Sequence, residues 1–155
     1  DYYKRMEAIQ YTMSHDDGKK LDDVAKADIV LLGVSRTSKT PTSIYLANRG
    51  YKTINIPLVL DQKIPEDLIS NYKKKCVIGL VADPARLADI RRNRVVIMKE
   101  NNIKEYTNLD SIKEEVDKSK QIFKKYNWPI IDVTRKSVEE TAASILKIFE
   151  IKKQK

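Results

Sequence analysis

The chain has 155 residues, a length that favours one domain, and its 41% hydrophobic and 34% charged residues exclude a disordered or collagen-like protein. The single cysteine, Cys76, excludes an internal disulfide, and zinc ribbons and fingers are excluded by count. No apolar run approaches the roughly 20 residues of a membrane span, and no basic-then-apolar leader opens the chain. We therefore expect a cytoplasmic protein without a membrane partner.

The formal net charge of +8 has two interpretations. A basic surface attracts polyanions such as nucleic acids or nucleotides. Much of the excess, however, lies in lysines that we expect at solvated helix ends: Lys73, Lys74, Lys75, Lys152, Lys153 and Lys155. The aromatic residues do not interleave with the basic ones as a stacking platform for bases would require. A nucleic-acid-binding module thus stays as a less favoured alternative.

The hydrophobic pattern predicts helices that alternate with short buried strands. In chain order it predicts a helix at 2–14 with Met6, Ile9, Gln10 and Met13 along one face, a strand at 28–33, a helix at 41–48, a strand at 52–59, a helix at 65–74, a strand at 76–81, a helix from Pro84, a helix at 110–126, a strand at 129–133 and a helix at 137–151. No Gly/Ser-rich linker interrupts this order, so we predict one domain over 1–155. The alternation predicts an α/β fold, a three-layer P-loop-like domain with a mainly parallel sheet whose ligands bind at the carboxyl ends of the strands.

The most specific motif lies between the first predicted strand and the following helix. It matches the Walker A spacing except that serine replaces the second glycine, and it consists of Gly33, Val34, Ser35, Arg36, Thr37, Ser38, Lys39 and Thr40. Backbone N–H groups at such a turn and at the helix N-terminus bind anions. Lys39 would reach terminal phosphate oxygens, the Thr40 hydroxyl would ligate Mg²⁺, and Arg36 is a further phosphate-binding candidate. Ser38 would be strained if its position requires a positive φ. The alternative is a polar strand-to-helix turn with an incidental lysine.

A complete phosphate site of this kind also needs an acidic partner for the metal. Asp83 and Asp132 follow predicted strands, but each could equally be a helix cap or a turn residue. His15, Asp16 and Asp17 place an imidazole beside two carboxylates and could supply a general base or a metal ligand. For these three we favour the alternative, a solvated helix end.

Two basic segments are further anion-binding candidates. Arg86, Arg91, Arg92 and Arg94 follow Asp83 on one predicted helix, where part of the set shares a face. A basic exposed face is the competing interpretation. The segment 134–137 is either a second anion site or a helix cap, and Ser137 with Glu140 has the capping-box pattern.

These blocks, taken in order along the chain, carry a family resemblance. They are HDDG at 15–18, ADIV at 27–30, GVSRTSKTPTSIYLANRGYK at 33–52, NIPLV at 55–59, GLVADPARLADIRRNR at 79–94 and DVTRKSVEETAA at 132–143. The set resembles the bacterial and plant regulatory proteins of pyruvate, phosphate dikinase and phosphoenolpyruvate synthase. Serine at position 38 is similar to the dikinase-regulating branch, whereas the synthase-regulating branch more often has glycine there.

The resemblance implies a bifunctional serine/threonine protein kinase and pyrophosphorylase. The kinase would use ADP to phosphorylate a threonine near the catalytic histidine of the dikinase and inactivate it. The second activity would remove that phosphate with inorganic phosphate as acceptor and pyrophosphate as product. Lys39 and Arg36 would neutralise charge, Thr40 would hold Mg²⁺, and Asp16, Asp17 or Asp83 would orient the attacking oxygen.

The resemblance also implies a longer protein, of which we expect this chain to be the C-terminal, nucleotide-binding part. A small-molecule P-loop kinase that uses ATP is the alternative among enzymes. The sequence leaves the general base and the oligomeric state open, a homo-oligomer included.

Overall fold

The computed structural model describes residues 2–16, 24–58, 76–98 and 107–153. Asp17, the helix predicted at 65–74 and the lysines at 73–75 lie outside the described residues. Of the helix side chains, those at 94–98 are also outside the description.

Four strands form one parallel sheet. They are β1 (Ile29–Gly33), β2 (Thr53–Pro57), β3 (Cys76–Val81) and β4 (Ile130–Asp132), in the order β2-β1-β3-β4. The two central strands are continuous apolar runs without alternation, as is typical of strands that are buried on both faces. The predicted α/β fold with a parallel sheet is confirmed, and all carboxyl ends of the strands lie at one edge.

The described ranges contain five helices and a short 3₁₀ turn besides the strands. The helices are α1 (Tyr2–Ser14), α2 (Lys39–Asn48), α3 (Pro84–Met98), α4 (Leu109–Lys125) and α5 (Val138–Lys153), and the 3₁₀ turn is Val24–Lys26. Local capping explains two of the starts. Asn108 accepts the backbone N–H groups of Asp110 and Ser111 before α4, and Ser137 with Glu140 forms the predicted capping box before α5. None of the helices in the described ranges is long and apolar enough to cross a membrane.

The sheet buries a hydrophobic cluster on each face. Ile29 and Leu31 of β1 belong to one cluster, which includes residues of α2, α3 and α5. Val30 and Leu32 belong to the other, which includes Phe123 of α4 and Trp128. Because side chains alternate along a strand, this division shows that both faces are covered, as in a three-layer domain.

The buried face of α1 differs from the predicted one. Ala8 and Thr12 are buried, whereas Met6 is 36% and Met13 63% exposed, so the predicted Met6/Met13 face was wrong. The reason is close packing: the Thr12 hydroxyl accepts the backbone N–H of Thr53 at 3.1 Å, at the start of β2. Small residues allow this approach, and α1 then directs the residues that follow it along β2.

Candidate functional site

The turn at 33–40 joins β1 to α2 at the carboxyl edge of the sheet. Arg36 and Ser38 have positive φ angles of 70° and 62°, and the Ser38 side chain makes no capping hydrogen bond. Position 38 therefore has the left-handed conformation that glycine adopts without strain, although the residue is serine, so the condition stated for strain at Ser38 is met. At Gly33 a Cβ atom would lie 2.7 Å from Thr37 Oγ1 and 2.8 Å from the Leu80 carbonyl oxygen, so glycine is required there.

Lys39 lies within this turn and only 6% of it is exposed. Its Nζ donates to the Val34 carbonyl at 2.9 Å and to Thr37 Oγ1 at 3.4 Å. Thr37 in turn donates to the same Val34 carbonyl at 2.9 Å. The ammonium group and the N-terminus of α2 thus place positive charge at one turn, an arrangement that favours anions.

The turn opens onto a cleft of about 590 Å³. The cleft is lined by Ser35, Arg36, Ser38, Lys39, Thr40, Pro41, Pro57 and Ile90. Its volume lies within the usual range of small-molecule sites, and it combines a polar, basic side with apolar prolines and an isoleucine. Five of the eight residues of the predicted motif thus line a space that a nucleotide-sized ligand can enter, whereas Gly33, Val34 and Thr37 do not line it.

An acidic residue lies directly beside Thr40. The Thr40 hydroxyl donates to Asp16 Oδ1 at 3.1 Å, and Asn55 Nδ2 donates to the same oxygen at 2.6 Å. The structure thus brings together two predicted site residues that are far apart in sequence. The solvated helix end that we favoured was wrong for Asp16, because Asp16 is held by side chains from α2 and β2, while Asp17 lies outside the described residues.

His15 is also buried, with 3% exposed. Its ring stacks on Tyr11 with centroids 4.0 Å apart, and its Nδ1 lies 2.7 Å from the Tyr11 carbonyl oxygen. A carbonyl accepts only, so Nδ1 carries a proton. Within the described residues Nε2 has no hydrogen-bond partner. The imidazole of His15 is therefore not solvated. Among the described residues, no group is hydrogen-bonded to Nε2 that would support a role of His15 as a general base.

The other two candidate acids make local structural contacts: Asp83 caps α3, and Asp132 binds Thr134 in the turn that follows β4. Asp83 Oδ2 accepts the N–H of Arg86 at 3.1 Å in the first turn of α3. The Thr134 hydroxyl accepts the Asp83 N–H at 2.8 Å and donates to Asp132 Oδ1 at 2.5 Å. Burial opposes ionisation of Asp132, but the hydrogen bonds from Thr134 and the charges of Lys120 and Lys136 together outweigh burial and lower the pKa of Asp132. The cap and turn interpretations are thus confirmed, and a role for Asp83 in catalysis stays a prediction.

Arg91 fits neither of the two predicted roles for the arginine cluster. It is 1% exposed, so it does not belong to a basic exposed face. Its Nη1 donates to Glu115 Oε2 of α4 at 2.7 Å, and its Nη2 donates to the Ser35 carbonyl at 3.2 Å. Because its guanidinium donates to these two groups, Arg91 stabilises the turn through the Ser35 carbonyl. Its two terminal nitrogens are therefore not both available for bidentate binding of a phosphate.

The residues at the turn fit a magnesium ion that is bound together with a nucleotide. Mg²⁺ in such sites is bound through one or two carboxylates, hydroxyls, phosphate oxygens and water. Asp16 and Thr40 supply a carboxylate and a hydroxyl in contact with each other. In the described parts of the chain no three His, Cys, Asp or Glu side chains converge, so an all-protein metal cage does not form there.

Sequence reasoning missed two residues of the site, Asn55 and the role of Arg91. Asn55 is completely buried on β2, where it lies between the apolar residues Ile54 and Ile56. A buried amide requires partners, and this requirement was the only signal in the sequence.

Comparison with known proteins identifies relatives over nearly the whole chain. The family model described as kinase/pyrophosphorylase matches residues 1–146. A relative from Pelagibacter ubique is 64% identical over 153 residues, which cover 99% of this chain and 56% of the relative. Relatives from Ehrlichia chaffeensis (52% identical; 96% of this chain, 54% of the relative) and Caulobacter vibrioides (46%; 96% and 47%) are also similar. All three carry names that assign them to the regulation of pyruvate, phosphate dikinase.

The chain spans about half the length of the curated relatives it matches. The family match nevertheless covers nearly all of its residues, including the turn at 33–40, Asp16 and Asp83. The chain therefore belongs to the kinase/pyrophosphorylase family.

Proposed function

We propose that this chain is the nucleotide-binding part of a bifunctional enzyme that regulates pyruvate, phosphate dikinase. One activity is an ADP-dependent serine/threonine protein kinase that modifies an active-site threonine of the dikinase. The other is a phosphate-dependent pyrophosphorylase that restores the free threonine. The observation that carries the proposal is the basic turn at 33–40, with Asp16 against Thr40, in a chain of the kinase/pyrophosphorylase family.

Both reactions transfer one phosphoryl group between oxygens. In the kinase reaction the threonine hydroxyl attacks the β-phosphorus of ADP, the bond to the bridging oxygen breaks, AMP leaves and the hydroxyl proton is released. In the pyrophosphorylase reaction an oxygen of inorganic phosphate attacks the phosphothreonine phosphorus, and the bond from phosphorus to the threonine oxygen breaks. Pyrophosphate leaves, and the threonine oxygen takes up a proton. Since both steps need anionic oxygens held in line, one cradle can serve both.

The residues of the turn divide this work. The backbone N–H groups at the start of α2 and the Lys39 ammonium bind the phosphate that is transferred. Arg36 is exposed at the rim of the cleft and neutralises further charge. The attacking oxygen is oriented by an acid, Asp16, Asp17 or Asp83, and Asp16 accepts a hydrogen bond from Thr40 of the turn. Mg²⁺, when bound at Thr40, shields the phosphate oxygens.

The test uses the intact protein with a dikinase that carries phosphate on its catalytic histidine. Incubation with ADP should give a new phosphothreonine, mapped by mass spectrometry, and addition of inorganic phosphate should remove it with release of pyrophosphate. Lys39→Ala should abolish both reactions, while Lys120→Ala, an exposed lysine on α4, should leave them unchanged. Retention of both rates in Lys39→Ala would contradict the shared cradle.

The nucleotide preference separates this proposal from the alternatives. ADP should raise the melting temperature more than ATP does. Stronger stabilisation by ATP, with no transfer to the dikinase, would favour a small-molecule kinase. Salt-sensitive retention on polyanions that ADP does not affect would favour a nucleic-acid-binding module.

A further inference from the structure

Asn55 connects the candidate acid to α2 through a fixed amide. Its Nδ2 donates to Asp16 Oδ1 at 2.6 Å and to Ser43 Oγ at 3.1 Å. Ser43 uses its own proton on the Thr40 carbonyl at 2.8 Å, so its oxygen faces Asn55 as an acceptor. Both protons of the amide thus meet acceptors, and a flipped amide would place an oxygen against both of them. The orientation of Asn55 is therefore determined by its surroundings.

Asp16 depends on this contact for its position. It lies two residues beyond the end of α1, outside the regular helix. The two donors that hold it, Thr40 Oγ1 and Asn55 Nδ2, both meet Oδ1. Oδ1 is thus fixed by two hydrogen bonds, and no group of the described residues donates to Oδ2.

We propose that Asn55 is a positioning residue that holds the Asp16 carboxylate beside the Thr40 hydroxyl. The carboxylate and the hydroxyl oxygen together would then bind the divalent cation that accompanies the nucleotide. This inference rests on the proposed function. An amide suits the task because it donates a hydrogen bond without neutralising the carboxylate. A lysine or arginine in its place would cancel the charge that attracts the cation.

The complete burial of Asn55 supports this role. A polar side chain in a buried strand costs free energy unless its hydrogen bonds are made, and an apolar residue at this position would pack without that cost. β2 pairs with β1, and Asn55 lies opposite Leu31 of β1. Leu31 precedes Gly33, where β1 ends and the turn begins, by two residues. The strand pairing therefore fixes the height of the amide relative to the turn.

The test measures binding of Mn²⁺ by electron paramagnetic resonance in the presence of ADP, with Mn²⁺ as a stand-in for Mg²⁺. Removing a hydrogen-bond partner of a metal-ligating side chain typically lowers metal affinity about 10- to 100-fold, and we expect Asn55→Ala to fall in this range. Asn48→Ala is the matched control. Asn48 is an exposed asparagine on α2 whose amide donates to the Ile44 carbonyl, and its replacement should leave Mn²⁺ affinity unchanged.

A double-mutant cycle shows whether Asn55 acts through Asp16. Asp16→Asn alone should weaken Mn²⁺ binding, and adding Asn55→Ala to it should cause little further loss. An equal loss in both backgrounds would mean that Asn55 acts through packing, which would overturn the proposal. If Asn55→Ala does not fold, Asn55→Leu, which fills a similar volume without donors, carries the same expectation.

The outcomes distinguish this inference from the proposed function. If the wild-type chain does not bind Mn²⁺ with ADP, the proposed function fails and the inference fails with it. If the wild type binds and Lys39→Ala abolishes ADP binding, but Asn55→Ala and Asn55→Leu bind Mn²⁺ normally, the inference alone is overturned.

Discussion

Replacing Arg91 by methionine should destabilise the protein and loosen the turn at 33–40 together. Arg91 donates from α3 to Glu115 at 2.7 Å and to the Ser35 carbonyl of the turn at 3.2 Å. Methionine keeps most of the apolar stem of the side chain, so the variant removes the guanidinium without leaving a large cavity. The change therefore tests the hydrogen bonds and the ion pair more than the packing.

The expected loss follows from the exposure of the two partners. Removing one member of a buried ion pair costs about 3–5 kcal/mol, and a charge-assisted hydrogen bond contributes about 1.5–3 kcal/mol. Arg91 is 1% exposed, but the Glu115 side chain is 36% exposed and water can solvate it once the arginine is gone. The lower range thus applies, and we expect the free energy of unfolding to fall by about 2–3 kcal/mol.

Urea denaturation measures this loss, and the rise in melting temperature with ADP reports on the turn. The double variant Arg91→Met/Glu115→Leu should regain part of the stability, because an apolar pair replaces the ionic one. The affinity of this double variant for ADP should remain below that of the wild type, because the Ser35 carbonyl no longer receives the hydrogen bond from Arg91. A stability loss below about 0.5 kcal/mol, or normal ADP binding in both variants, would refute the reasoning.

Three further predictions concern single positions. Ser38→Gly should raise the free energy of unfolding by about 0.5–1 kcal/mol in urea denaturation, because the left-handed conformation at position 38 is costly for serine, whereas Ser38→Ala should give no gain. Gly79→Ala should lower it by about 1–3 kcal/mol, because a Cβ atom would overlap the Phe123 ring, and Phe123→Leu should recover part of the loss in the double variant. Burial raises the pKa of the Cys76 thiol to about 11, so at pH 8 only about 0.1% is thiolate, and iodoacetamide should label the native chain far more slowly than the urea-unfolded chain. The same shift means that the contribution of Cys76 to stability is complete below the ordinary thiol pKa and is lost as pH rises from there through the folded-state pKa of about 11, so the decline in stability over this range should be smaller in Cys76→Ala. Equal labelling rates in the native and unfolded chains would contradict the burial of this thiol.

The sequence predicted the strands because their physical signal is local. β3 is an unbroken apolar run between a lysine cluster and an Asp-Pro pair, and its predicted and observed bounds, Cys76–Val81, agree. The buried face of α1 has no comparable signal. Ala8 and Thr12 are buried because their small side chains allow α1 to pack closely against β2. This burial depends on tertiary packing and not on the spacing of apolar residues along the helix.

The site divides in the same way. The motif at 33–40 is contiguous, so spacing alone identified the turn, whereas the positive φ at Ser38 was only a condition in the sequence analysis and is observed in the structure. The contact of Asp16 with Thr40 spans 24 residues, and that with Asn55 spans 39, so no local pattern encodes either. The burial of Arg91 was also unpredictable from sequence, because arginine is mostly exposed unless a partner such as Glu115 arrives from another helix.

The position of Asp16 changes which element supplies acid to the turn. Sequence reasoning looked for the acidic metal partner first after the strands, at Asp83 and Asp132, and gave Asp16 and Asp17 only as less favoured candidates. In the structure Asp83 accepts the N–H of Arg86, and Asp132 accepts the hydroxyl of Thr134. The carboxylate in contact with Thr40 comes from the end of α1, before β1. Because Thr12 ties α1 to the first residue of β2 and Asn55 ties Asp16 to the same strand, the docking of α1 and the position of the carboxylate are coupled. A change that shifts α1 along β2 would therefore move the acid away from the turn without altering the turn itself.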